Sequence, residues 1–227
     1  METILLDQIP FQPDEQEAAS ALRIKKGSTQ VQQLQQMLEE AAAIARPKAL
    51  AKLAQIEGRS EDKIILNGIT FKSRVLQVNT AEINRVFAFV ATCGQELEEW
   101  KNSFQDPISN YYADQINQLA LGAARQALVD ELNRRFNLGD SSKMNPGSLE
   151  DWPLSEQRQL FKLLGDPETA IGVQLMPSML MSPGQSVSGL RFSSEEDFTS
   201  CQLCPIENCP HRKAPFNPEL YQEKYSA

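Results

Sequence analysis

Residues 85–100 read RVFAFVATCGQELEEW, and the change of character at Cys93-Gly94 decides how the chain folds. From Val86 to Ala91 every side chain is apolar, which suits a strand covered on both faces. After Gly94 the acids Glu96, Glu98 and Glu99 crowd into the start of a helix, where negative charge complements the helix dipole. A strand end followed by a helix start leaves amides pointing outward, a place that can receive an anion or another ligand. Cys93 sits at that junction, where a free thiol packs as a small hydrophobe as readily as it serves as a ligand.

Downstream, residues 105–137 carry the longest helical pattern. Ile108, Tyr112, Ile116, Leu119, Ala123, Ala127, Leu128 and Leu132 recur at three and four, with Asp106-Pro107 at the start and Leu138-Gly139-Asp140 at the end. This is the expected central helix, on which the sheet lies. Upstream, the runs 51–57, 64–66, 69–71 and 75–78 predict short strands, with Asn67-Gly68 as a tight turn. Helices are expected over 13–23 and 29–45, the second ended by Pro47, after an extended arm at residues 1–12.

Residues 141–153, rich in Ser, Asn, Pro and Gly, predict a loop, and 154–164 a helix with Ser155 as a cap. Val173 and Leu175, then Val187, Leu190 and Phe192, alternate as two strands joined around Pro183-Gly184. Met176, Met179 and Met181 read as core filling or as a flexible ligand surface. The expected fold is α+β, a mainly antiparallel sheet packed on long helices over residues 1–193, followed by an irregular cysteine-rich tail over 194–227.

The chain has 227 residues, 41% of them hydrophobic, enough for a real core. A net charge of -8 with a pI near 4.9 argues against a nucleic-acid-binding body. No apolar run approaches bilayer length, and METILLDQIPFQPDEQE has no basic leader. We therefore expect a cytoplasmic protein that binds neither membrane nor nucleic acid, in a compartment where thiols stay reduced.

The tail holds the most concentrated chemistry. CQLCPIENCPHR, residues 201–212, gathers three of the four cysteines and the single histidine. Cys201 and Cys204 can point two sulfurs at one metal, with Cys209 as a third ligand. Soft thiolates suit an iron-sulfur cluster or zinc. The fourth ligand is either Cys93 or His211, and free thiols on a tail are the plainer alternative. One histidine and no carboxylate pair leave little for general acid–base catalysis, although Asp106, Asp114 and Asp151 could approach a ligand's amino group.

The order NPGSLEDWPL, a short helix QRQLFKLL, then LMPSMLMSPGQSVSGLRFS resembles the activation, or reactivation, domain of vitamin B12-dependent methionine synthase. ALRI, LNGITFKS and FVATCGQELE are similar to free-standing bacterial forms, so the likeness spans most of residues 13–193. The resemblance implies a twisted antiparallel sheet, S-adenosylmethionine binding, and docking on a corrinoid-binding partner. There an electron donor and methyl transfer from S-adenosylmethionine return cob(II)alamin of that partner to the active state.

By the same resemblance the ligand contacts fall on Lys143, Asn145, Pro146, Gly147 and Ser148, and on Ser188, Gly189, Leu190 and Arg191. The family pattern is arginine, two variable residues, proline, glycine and an aromatic. Lys143 and Ser148 depart from it, removing a guanidinium fork and a stacking face, which Trp152 could replace. The cysteine segment is a further departure, similar to metal motifs of corrinoid-activating iron-sulfur proteins, and implies an electron delivered through an attached cluster. The leading expectation is a reductive activator of a methionine synthase-type methyltransferase; the alternative is a non-catalytic, zinc-stabilised docking module. An independent methyltransferase is disfavoured, because the chain has no Gly-rich strand-to-helix loop.

Overall fold

A computed structural model describes residues 2–25, 27–194, 198–209 and 212–225. The chain opens with strand β1 (Thr3–Leu6), helices α1 (Glu15–Ala21) and α2 (Thr29–Ile44), and the long strand β2 (Lys48–Ser60). Strands β3 (Lys63–Leu66) and β4 (Ile69–Lys72) lead into helix α3 (Arg74–Asn79). Next come β5 (Arg85–Thr92), α4 (Gln95–Ser103), α5 (Pro107–Phe136) and β6 (Ser141–Met144). Helices α6 (Gln157–Leu164) and α7 (Pro167–Ile171) precede β7 (Gln174–Leu175), β8 (Met181–Ser182), β9 (Ser186–Ser193) and α8 (Leu220–Tyr225).

The main sheet is antiparallel and runs β4-β3-β2-β5-β9-β6, with β1 also paired to β2. Its middle strand separates two cores. Phe87, Phe89 and Ala91 of β5 point into one with α2, α4 and α5, while Val86, Ala88 and Val90 point into the other with α3 and α6. Period-two alternation sends an all-apolar strand into both layers at once. Helix α5 buries Ile116, Ala120, Ala124 and Leu128 against the first layer. Asp106 starts it by accepting from Ser109 N at 2.8 Å, and left-handed Asn137 ends it.

Several expectations are corrected. Residues 75–78 are helical, within α3, because Ser73 Oγ accepts from Leu76 N at 3.0 Å and Asp151 accepts from the amides of Arg74 and Val75 at 3.1 Å. Ser73 Oγ also donates to Asp151. The arm at the amino terminus is a strand, with Ile4 opposite Ala51. Residues 141–144, expected in a loop, form edge strand β6 by pairing with β9. The hairpin joins β7 to β8 through residues 176–180, and Pro183-Gly184 instead separates β8 from β9.

The region after Phe198, expected to be irregular, contains α8. Phe198 and Tyr225 enter the second core, and Tyr225 Oη donates to Asn79 Oδ1 at 2.9 Å. The last described turn of the chain is thereby tied to α3.

Gly94 links β5 to α4 at φ +98°, and a Cβ there would stand 2.5 Å from Arg46 O. Gly94→Ala should destabilise the fold by about 1–3 kcal/mol. Gly122, mid-α5, has nothing within 4 Å of its Cβ position, so Gly122→Ala should stabilise by about 0.5–1 kcal/mol. Urea unfolding of the two variants measures both shifts, which have opposite signs.

Candidate functional site

The residues carried over from the family lie around the β6–β9 edge, but the fold distributes them over three places. Asn145 leaves β6 and donates through Nδ2 to Ser188 O at 2.6 Å, pinning the following turn to β9. Gly147 N donates to Trp152 O at 2.8 Å, closing that turn on itself. Gly147 has φ +83°, and a Cβ there would meet Leu154 at 3.1 Å. Its lack of a side chain thus accommodates packing within the protein, where the resemblance implied approach to a ligand.

Asn145, Pro146, Ser186 and Ser188 line a cavity of about 290 Å³, closed on its apolar side by Leu154, Met179 and Met181. Several polar atoms there have protein partners. Ser188 Oγ donates to Gln157 Oε1 at 2.9 Å, and Ser186 Oγ donates to Pro183 O at 2.7 Å. Gly147 and Ser148 face a second cavity, of about 840 Å³, whose opposite wall is Cys204, Ile206, Phe216 and Tyr221. This joins the turn at Gly147 and Ser148 to the cysteine segment, a proximity that residue spacing did not reveal.

Lys143 and Arg191 form the third place. They are register partners on β6 and β9, while their neighbours Met144 and Leu190 point into the second core. Leu190 is fully buried there, so the ligand contact expected of it is corrected to a core role. Gly189 packs closely against β6, where a Cβ would stand 2.3 Å from Met144 O. Trp152 is also a core residue, 0% exposed and edge-on to Phe71. The three aspartates have structural partners: Asp106 caps α5, Asp151 caps α3, and Asp114 accepts from Lys101 Nζ at 2.7 Å and Gln185 Nε2 at 3.2 Å.

The cysteines also divide. Cys93 lies in the first core and Cys204 packs against the second, on the other side of the sheet. Burial, reinforced by the charge of Glu98, pushes the Cys93 thiol up to about 12. It is therefore not the fourth ligand beside the other three, and His211 lies outside the described residues. Among the described residues no group of three or more His, Cys, Asp or Glu side chains could hold a metal ion.

What organises the segment in the structure is Arg212, whose guanidinium donates to the carbonyls of Cys201 and Cys204 at 3.0 Å, Ala214 at 3.2 Å, and Ile206. Cys201 Sγ accepts from Lys213 N at 3.4 Å. Burial acts to raise this thiol, but the amides of Lys213 and Ala214, Thr199 and the charge of Arg212 bring it below its ordinary value.

No protein-family model matches the chain, and no curated protein matches it. Among solved structures it is similar to the MetH reactivation domain bound to AdoHcy, at 16% identity and a TM-score of 0.66, over 88% of this chain and 81% of that one. The chain has the fold of that domain. The α+β architecture, with its antiparallel sheet, is the one the motif order implied.

Two outcomes test this arrangement. A chromogenic disulfide reagent at about pH 8 should modify Cys201, Cys204 and Cys209 in the folded protein and reach Cys93 only after unfolding; Cys201→Ser should remove the fastest phase. Burial, and then the charges of Arg125, Lys213 and Arg191, bring Lys143 down to about 8. Its protonated form opposes folding below that value. From there to the ordinary lysine value of about 10.5 the unfolded chain binds the extra proton, so stability should rise with pH across this window. Lys143→Met should flatten that rise in urea unfolding curves.

Proposed function

We propose that this chain is an activation subunit that docks on the corrinoid-binding part of a methionine synthase-type methyltransferase. The observation that carries the reading is the reactivation-domain fold over 88% of the chain, with the Pro146-Gly147 turn tied to strand β9. A net charge of -8 suits a partner with a basic face. The finer form of the reading has the chain bind S-adenosylmethionine as methyl donor while an electron reaches the cobalt.

The residues present fit that donor poorly. Ser186 and Ser188 hydroxyls and the Asn145 amide have protein partners, Leu190 is core, and Lys143 and Arg191 add positive charge. S-Adenosylmethionine carries a sulfonium and an ammonium against one carboxylate, so cations weaken its binding. The described thiols likewise do not assemble a cluster site, and no electron step is routed through one. These observations favour the second reading, a docking module without its own methyl donor.

Titration with the cobalamin domain of methionine synthase loaded with cob(II)alamin tests both forms. Docking should change the cobalamin absorbance, with a Kd of about 1–100 µM. S-Adenosylmethionine should bind no tighter than about 1 mM. Absence of any spectral change would remove the activation reading; micromolar binding of the donor would restore the finer form.

A further inference from the structure

We propose that Lys143, Arg191, Arg125 and Lys213 form a binding site for a small, multiply charged oxyanion of the phosphate-ester class, on the α5 side of the β6–β9 edge. The site goes beyond the docking reading and does not depend on it. Four cationic side chains converge there from four separate stretches. Lys143 and Arg191 share a sheet face by direct cross-strand pairing. Arg125 of α5 lies close enough for its charge to act on both. Lys213 arrives with the C-terminal segment, which is anchored by a parallel bridge from Thr199 to Lys143 and by the Lys213 amide on Cys201 Sγ.

Among the described residues the cluster has no carboxylate partner, and the negative group acting on Lys143 is the Cys201 thiol. Arg191 Nη1 donates to Ser141 Oγ at 2.6 Å, a neutral partner. The chain has 30 acidic residues against 22 basic ones, so this is not the overflow of a basic protein. Lys143 and Arg191 are half-buried, and like charges gathered out of water oppose folding unless an anion joins them.

Charge and shape select the ligand. One carboxylate would leave most of the positive charge uncompensated, whereas a phosphate ester or pyrophosphate carries two or more negative charges. The guanidinium fork and the lysine point charges both suit phosphate oxygens.

Calorimetric titration of the full chain with pyrophosphate, at fixed ionic strength in phosphate-free buffer, is the test. We expect a Kd of about 1 mM or tighter, weakening as sodium chloride is added. Arg191→Gln and Lys213→Gln should each weaken binding by about tenfold, one lost charge-assisted contact apiece. Lys213 is exposed, so its variant reports on binding even where the Arg191 variant folds poorly. No heat at about 10 mM pyrophosphate, or equal heat with both variants, would overturn the site. Docking on the cobalamin domain is scored separately, so failure of either idea leaves the other measurable.

Discussion

Burial of β5 on both faces is the constraint from which the rest of the architecture follows. A strand whose residues 86–92 are all shielded needs a complete layer on each side and a paired strand on each edge. Helices α2, α4 and α5 provide one layer. The other is provided by α3, α6, the loop around Trp152 and the C-terminal segment, whose Phe198 and Tyr225 occupy the same cluster as Val86 and Val90. On the edges, β2 pairs along eight residues from Lys48 to Gln55, and β9 along six from Ser186 to Arg191. The candidate site therefore lies beside the most protected strand because β9 is that strand's neighbour.

Much of this was legible in the sequence, wherever a segment's own pattern matches its environment. The apolar run at 86–91, the helical recurrence from Ile108 to Leu132, and the Asn67-Gly68 turn all declare themselves locally. The errors occur where distant partners decide. Val75 and Val78 have strand-like side chains, yet Asp151, 76 residues beyond Val75, accepts the amides that open a helix there. Ser141 to Met144 show little strand propensity, and they are extended because β9 presents a free edge. The tail is polar and rich in proline, and its last helix forms against α3, where Tyr225 finds Asn79.

The site was legible as a neighbourhood, but the roles of its residues depended on side-chain direction. In SVSGLRFS successive residues face opposite layers, so Leu190 is core while Arg191 joins Lys143 across the edge. The motif could not distinguish those fates without the register. The same reasoning separates the thiols. Cys93 follows a β5 strand end whose preceding residues supply both cores, and its own side chain falls in the first; the segment carrying Cys204 lies against the second. Nothing in the local pattern of α5 marks Arg125, whose charge acts on Lys143 and Arg191 only once the chain is folded.

The change at Lys143 acquires its meaning from these surroundings. A lysine in place of arginine on an isolated strand would be a loss of one hydrogen-bonding fork. Here it faces Arg191, with Arg125 and Lys213 also acting on it, and the local electrostatic potential is positive whichever of the two cations stands at that position. A ligand with net positive charge is disfavoured at such a place even when its carboxylate is well placed, because every other cation acts on its remaining charges. An anion reverses every one of those signs. The likeness to the reactivation domain at 16% identity is a likeness of backbone, whereas the charge at this edge is set by side chains that the backbone does not dictate, so the fold by itself does not reveal which class of molecule the edge would accept.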